Sequence, residues 1–298
     1  MEMLTLSHVE KHFGEKEVLR DVSFCVPEHT VFGFVGQNGA GKTTAMKLIL
    51  GLLPCDGGRI TVNGSPVSYG NTDTNRFIGY LPDVPEFYSY MTPAEYLAFC
   101  GEITGMPKTE IRKRSRELLA LVGLEKENHR IRGFSRGMKQ RLGVAQALLN
   151  RPKLLICDEP TSALDPAGRK ELLDILTAAK EQTTVLFSTH ILSDVEHICD
   201  ELAFLHGGRI ALHGTLEEVR GLRKAADVEL EMEYAHDTEL LLSDFPFLKR
   251  QGRNLLFLEK GKSLPEILGR IAEQRLPIRR VERMEPTLED LFMEVIGK

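Results

Sequence analysis

Apolar and polar residues alternate through MLTLSHVEKHF and again through VLRDVSFCV, the two-residue period of half-buried antiparallel strands. The period stops at TVFGFVG, a short unbroken apolar run closing on glycine, which predicts a strand buried on both faces. KTTAMKLILGLL takes up helical spacing until Pro54 and the Gly57-Gly58 pair end it. GRITVNG reads as a further strand with an Asn-Gly turn. From about residue 93 to 123 the spacing is helical again, with breaks predicted at Gly101, Gly105 and Pro107.

A second helical stretch opens at GFSRGMKQR, residues 133–141. Ser135 is its capping residue, and Leu142, Ala145, Leu148 and Leu149 recur on one face. Four segments follow: the buried strand KLLICDEP, the amphipathic helix RKELLDILTAAKEQ, the strand TTVLFSTH and the helix ILSDVEHIC. The strands ELAFLHGG and RIALHG come next. Buried strands alternating with helices predict an α/β domain over residues 1–220, its mainly parallel sheet covered on both sides, with a helical insert over about 84–150. From residue 226 the texture changes. DVELEMEY, FLKRQ, NLLFLEK and IRRVERME read as strands, with helices at 237–244 and at LPEILGRIAEQR. This βαββαβ order predicts a small ferredoxin-like α+β domain over 221–298, followed by the helix TLEDLFMEVIG.

Composition narrows the class. The 298 residues are 42% hydrophobic and 27% charged, ordinary values for a soluble globular chain. Five scattered cysteines, odd in number and without a close pair, argue for reduced thiols in a cytosolic setting. No Cys or His cluster has metal-ligand spacing. The charged N-terminus is unlike a secretory signal, and no apolar run approaches the roughly 20 residues that cross a bilayer. A net charge of -5 gives no global footprint for nucleic acid. The basic runs IRKRSR and IRR read as solvated faces.

Three clusters carry chemistry. GQNGAGKT, residues 36–43, fits G-x-x-x-x-G-K-[ST] between a predicted strand and a predicted helix, the context a phosphate-binding P-loop requires. Its backbone, from Gly36 through Gln37, Asn38, Gly39, Ala40 and Gly41 to Lys42, Thr43 and Thr44, is suited to wrap phosphate groups. Lys42 is placed to reach the β/γ-phosphates, and the Thr43 hydroxyl to ligate Mg²⁺. At the end of LLICDEP, Asp158 is expected to hold Mg²⁺ and Glu159 to orient and deprotonate the attacking water. His190, ending TTVLFSTH, is expected to point into the crevice at the strand ends and to link the γ-phosphate with Glu159.

Residues 36–44, FSRGMKQR, LLICDEPTSALD and STH, in this order and spacing, resemble the nucleotide-binding subunits of ATP-binding-cassette (ABC) transporters over residues 1–220. PTLEDLFMEV and the small C-terminal domain look like those of ATPases paired with ABC-2-type exporters of drugs, antibiotics, lipids or polysaccharide. The resemblance implies a P-loop NTPase with an antiparallel β subdomain and a helical insert, hydrolysing Mg-ATP. It implies two copies that sandwich the nucleotides and separate transmembrane permease subunits, on the inner face of the cell membrane. FSRGM stands where the family has Leu-Ser-Gly-Gly-Gln, so Ser135 and Gly137 would reach the ATP of a partner. Arg136 and Met138 depart from the pattern; Arg136 either faces away from the nucleotide or adds a charge-assisted contact.

Phe13 matches the aromatic that stacks on adenine, or else is a strand-end core residue; Asp165 of SALD matches the acid of the loop that meets the dimer mate. In YLPDVPEFYSYMT the family's usual glutamine is replaced by Asp83, whose oxygen could still meet Mg²⁺ or the attacking water. Aspartate is shorter, lacks an N–H donor and adds negative charge near the phosphates. Phe87, Tyr88, Tyr90 and Met91 suit either a groove for a permease helix or the core of the insert. The competing function is a soluble ABC-type ATPase acting on ribosomes or nucleic acid, disfavoured by the single cassette and the acidic net charge. A P-loop regulator without turnover is disfavoured by the presence of both Asp158 and Glu159.

Overall fold

The computed structural model describes residues 2–71, 73–221, 227–258, 263–284 and 287–296. It forms two compact units, Met1–Leu216 and Glu217–Lys298.

In the first unit the alternating segments become β1 (Glu2–Phe13) and β2 (Lys16–Pro27), paired antiparallel. β3 (Val31–Gly36), buried at all six positions, runs into the P-loop and α1 (Lys42–Ile49). β4 (Gly57–Val62) and the short β5 (Ser65–Pro66) join β1 and β2 in a four-stranded antiparallel sheet, ordered β2-β1-β4-β5. β6 (Ile78–Leu81) leads into the helical insert, α2 (Pro93–Ile103), α3 (Lys108–Leu121) and α4 (Arg136–Ala147). Then come β7 (Leu154–Asp158), α5 (Pro166–Ala179), β8 (Thr184–Thr189), α6 (Leu192–Ile198), β9 (Glu201–His206) and β10 (Arg209–Thr215).

The six-stranded sheet has the order β10-β9-β3-β8-β7-β6. It is parallel except for the β9–β10 hairpin at one edge. One core joins the two sheets: Leu4, Leu6, Val22 and Phe24 of the antiparallel layer meet Phe32 and Phe34 of β3 and Met46 and Ile49 of α1. Phe24 stacks on both Phe32 and Phe34, with centroids 5.5 and 5.3 Å apart. The parallel strands end together, so the loops that leave β3, β6, β7 and β8 share one rim, where ligands of open α/β sheets sit.

Three expectations are corrected. α1 stops at Ile49 rather than running on to Pro54, because the chain turns at Gly51 with φ +67°. Gly101 does not break α2, which continues to Ile103; a Cβ there would lie 2.7 Å from Ile111 Cγ1, so the glycine allows α3 to approach. The run IRKRSR is not uniformly solvated. Arg114 is buried, donating to the Leu148 carbonyl at 3.1 Å and to Gln182 at 3.3 Å.

α7 (Leu216–Gly221) starts on the last residue of the first unit; the second unit continues with β11 (Asp227–Met232), α8 (Ala235–Asp244), β12 (Lys249–Arg250), β13 (Leu255–Leu258), α9 (Leu264–Glu273), β14 (Ile278–Met284) and α10 (Leu288–Ile296). The antiparallel order β12-β13-β11-β14 is ferredoxin-like. Val228, Leu230 and Met232 form its core with Leu241, Leu256, Ile267 and Ile271.

Candidate active site

The P-loop owes its shape to glycine where no side chain would fit. Gly41, the N-cap of α1, has φ +113°, and a Cβ there would lie 2.9 Å from Leu19 Cδ2. Gly39 is also left-handed, at φ +80°. No side chain caps α1 and no acid sits in its first turn, so its N–H groups and partial positive charge remain available to an anion.

Lys42 is buried at the mouth of this turn. Its Nζ donates to the carbonyls of Gly36 at 2.6 Å and Gln37 at 3.2 Å, and lies 3.0 Å from Glu159 Oε1. Glu159 follows β7 with φ +48°, a conformation few non-glycine residues adopt. Ser188 of β8 holds it there: Glu159 N–H donates to Ser188 Oγ at 3.0 Å, and Ser188 Oγ donates to Asp158 Oδ1 at 2.7 Å. One serine thus fixes both acids. Glu159 Oε2 lies 2.8 Å from His190 Nδ1, whereas Oε1 is buried without a hydrogen bond despite its nearness to Lys42. That leaves a lone pair for a water or a ligand.

These groups surround an open pocket of about 530 Å³ lined by Phe13, Lys16, Val18, Asn38, Gly39, Gly41, Lys42, Thr43, Thr44, Asp83 and Glu159. Phe13 is half exposed rather than core, with Lys11 Nζ 5.3 Å from its ring centroid. Gly36, Gln37 and Ala40 shape the loop without lining the pocket. Asp158 is buried behind Glu159, and His190 joins through Glu159. Burial pushes the Tyr80 hydroxyl up to about 12, with Asp158, Cys157 and Asp83 adding to the effect; the Cys157 thiol is raised mainly by burial as well. Both stay protonated beside the acids.

Ser135 and Gly137 lie apart from this lining, at the first turn of α4, where Ser135 Oγ accepts from Met138 N–H at 3.2 Å. Asp83 Oδ1 accepts from Ser162 Oγ at 2.6 Å and lies 3.6 Å from Arg136. Beyond Asp83 a second groove, of about 460 Å³, runs over Val84, Pro85, Phe87 and Ile131 to Lys139 and Gln140. Tyr88 and Tyr90 are exposed nearby, and Phe87 packs edge-on against Tyr96.

Sequence reasoning missed Ser188 and Ser162. Ser188 had a signal, a polar residue inside a fully buried strand; Ser162, in a polar turn, had none. It also missed Asp194, whose buried carboxylate accepts from Thr161 at 2.7 Å and pairs with Arg169, tying the loop after Glu159 to α5 and α6.

Among the described residues there is no cluster of three side chains able to hold a metal alone. Thr43 and Asp158 fit an Mg²⁺ whose remaining ligands are phosphate and water, since this cation keeps much of its water and takes few protein carboxylates. No helix among the described residues is long and apolar enough to cross a membrane.

The ABC transporter family pattern matches residues 19–162, and the C-terminal domain of DrrA1-3-like ATP-binding proteins matches residues 214–296. The chain is 37% identical, over 99% of both chains, to the uncharacterized ABC transporter ATP-binding protein YxlF of Bacillus subtilis. It is 32% identical to the bacitracin transport ATP-binding protein BcrA of Bacillus licheniformis, over 99% of this chain and 97% of that one. A solved ATP-binding subunit of an ABC transporter superposes with a TM-score of 0.67 at 34% identity, covering 74% of this chain and 92% of its own. ATP-binding subunits of this kind are ATPases coupled to transport and work with transmembrane permease partners. With a P-loop, two acids and a histidine gathered on one rim, and relatives aligned along its whole length, the chain belongs to the ABC transporter ATP-binding family.

Proposed function

We propose that two copies of the chain close on two Mg-ATP molecules and so drive an exporter, the copies sitting on the cytoplasmic face of the cell membrane against separate permease subunits. The observation that carries this is the separation of the site into halves. The P-loop pocket holds Lys42, Thr43 and Glu159, while Ser135 and Gly137 lie outside its lining, at the first turn of α4. Gly137 supports the reading. Beyond its immediate neighbours and the backbone of its own helix, the nearest atom to a Cβ there would be Leu164 Cδ2 at 3.9 Å, so the fold does not require a glycine that costs helix stability. Close approach by a ligand bound to a second copy explains it.

In this mechanism Phe13 offers its ring to the base, and residues 36–44 wrap the phosphates. Lys42 exchanges its carbonyl partners for the β/γ-phosphates. Thr43 and Asp158 would hold the Mg²⁺ that accompanies ATP, which would supply neutralisation of phosphate charge. Glu159 accepts a proton from the attacking water with Asp83 beside it, and His190 steadies Glu159 and faces the γ-phosphate. ATP favours the closed pair because it touches both halves, a differential affinity able to do work; loss of the γ-phosphate reopens it. The groove over Val84, Pro85 and Phe87 receives the permease. The relative named for bacitracin transport and the DrrA-like C-terminal domain favour outward movement of cargo.

The test is light scattering of a hydrolysis-dead variant with Mg-ATP, alone and with its membrane subunits. A strictly monomeric nucleotide complex in both settings defeats the proposal. Direction is read from ATP-dependent uptake into inside-out vesicles, which an importer would not give.

A further inference from the structure

Two of the three residues that depart from the family's motifs, Asp83 and Arg136, meet in space. They lie 3.6 Å apart, and Ser162 bridges them: its Oγ donates to Asp83 Oδ1 at 2.6 Å and accepts from Arg136 Nη2 at 3.5 Å. The three come from three separate segments, the loop after β6, the first residue of α4 and the loop after β7. Stability does not explain the pair. Both side chains are about half exposed (47% and 49%), where ion pairs are weak, and a cation at a helix N-terminus opposes the helix dipole.

The pocket does explain it. Its charged lining holds two cations, Lys16 and Lys42, against two carboxylates, Asp83 and Glu159. Asp83 therefore cancels the positive balance that a triphosphate needs, unless another cation answers it. Arg136 is that cation. We propose that Arg136 is a positioning residue that neutralises Asp83 and, with Ser162, fixes its carboxylate, so that the pocket accepts Mg-ATP despite the added acid. Because Ser135 and Gly137 flank Arg136, the pair also ties the pocket of one chain to the turn that chain offers to another. The inference rests on the nucleotide reading of the pocket.

The test is a double-mutant cycle on the full chain, measuring Mg-ATP affinity for wild type, Asp83→Asn, Arg136→Gln and the double variant, with Arg136→Lys as rescue. Thermal melting checks that each is folded. In the wild-type background Arg136→Gln is expected to weaken Mg-ATP binding about tenfold by leaving Asp83 uncompensated. In the Asp83→Asn background the same change is expected to cost less than about twofold. Arg136→Lys restores most of the affinity, and high salt shrinks the difference. Equal losses in both backgrounds overturn the proposal, as does no loss in either. Failure of the wild-type chain itself to bind Mg-ATP is a separate result; it removes the nucleotide reading and this inference with it.

Discussion

Glu159→Gln separates chemistry from binding because the structure isolates the carboxylate charge. The substitution keeps the side chain's shape. The strained backbone at Glu159 is held by its own N–H to Ser188 Oγ, a contact independent of the side chain. Lys42 is not orphaned either, since the Gly36 and Gln37 carbonyls still accept from it at 2.6 and 3.2 Å. What disappears is the proton acceptor, for which general-base catalysis sets a loss of roughly 10²- to 10⁴-fold, or about 3–5 kcal/mol of barrier. Removing one negative charge beside the phosphates leaves ATP binding equal or stronger. Phosphate release at saturating Mg-ATP measures the first, and displacement of a fluorescent ATP analogue the second. Turnover within a factor of about three of wild type would refute Glu159 as the base. A parallel collapse of binding and turnover would reassign it as a residue that holds nucleotide.

Gly137→Ala is expected to leave single-chain ATP affinity unchanged and the melting temperature unchanged or slightly raised, since its own chain leaves room and alanine suits a helix better, while lowering ATPase activity at low protein concentration, where pairing limits turnover. With a thiol reagent at pH 8 the exposed Cys55 reacts first; Cys157 and Cys199, whose thiols burial raises, react only on unfolding, as a mass-resolved time course will show. The Glu95 carboxylate is held below its ordinary value of 4.5 by the N–H and hydroxyl of Thr92, the reciprocal cap of α2. A depressed folded pKa contributes stability that is present above the unfolded value and lost as pH falls through the folded one. Glu95→Gln should therefore destabilise the protein at pH 7 but not below the carboxylate range, and a urea-unfolding difference that persists at low pH would exclude this origin.

The sequence alone determined what depends on neighbours along the chain. Alternation gave β1 and β2, unbroken apolar runs gave β3, β7 and β8, and the order of segments gave the ferredoxin-like unit, because burial of a regular element imposes its period on the residues. GQNGAGKT was legible for the same reason, as one turn built from consecutive residues. The end of α1 and the continuity of α2 through Gly101 were misread, because a single glycine is punctuation in one setting and clearance for a neighbouring helix in the other.

Tertiary structure alone decided the contacts between segments far apart in the chain. Ser188 reaches Asp158 across 30 residues, Glu159 meets both Lys42 and His190, and Asp83 finds Ser162 and Arg136. Each is set by where parallel strands end and loops fold over the rim. No local pattern in the residues encodes that distance, since it arises only when the core has brought the strands side by side.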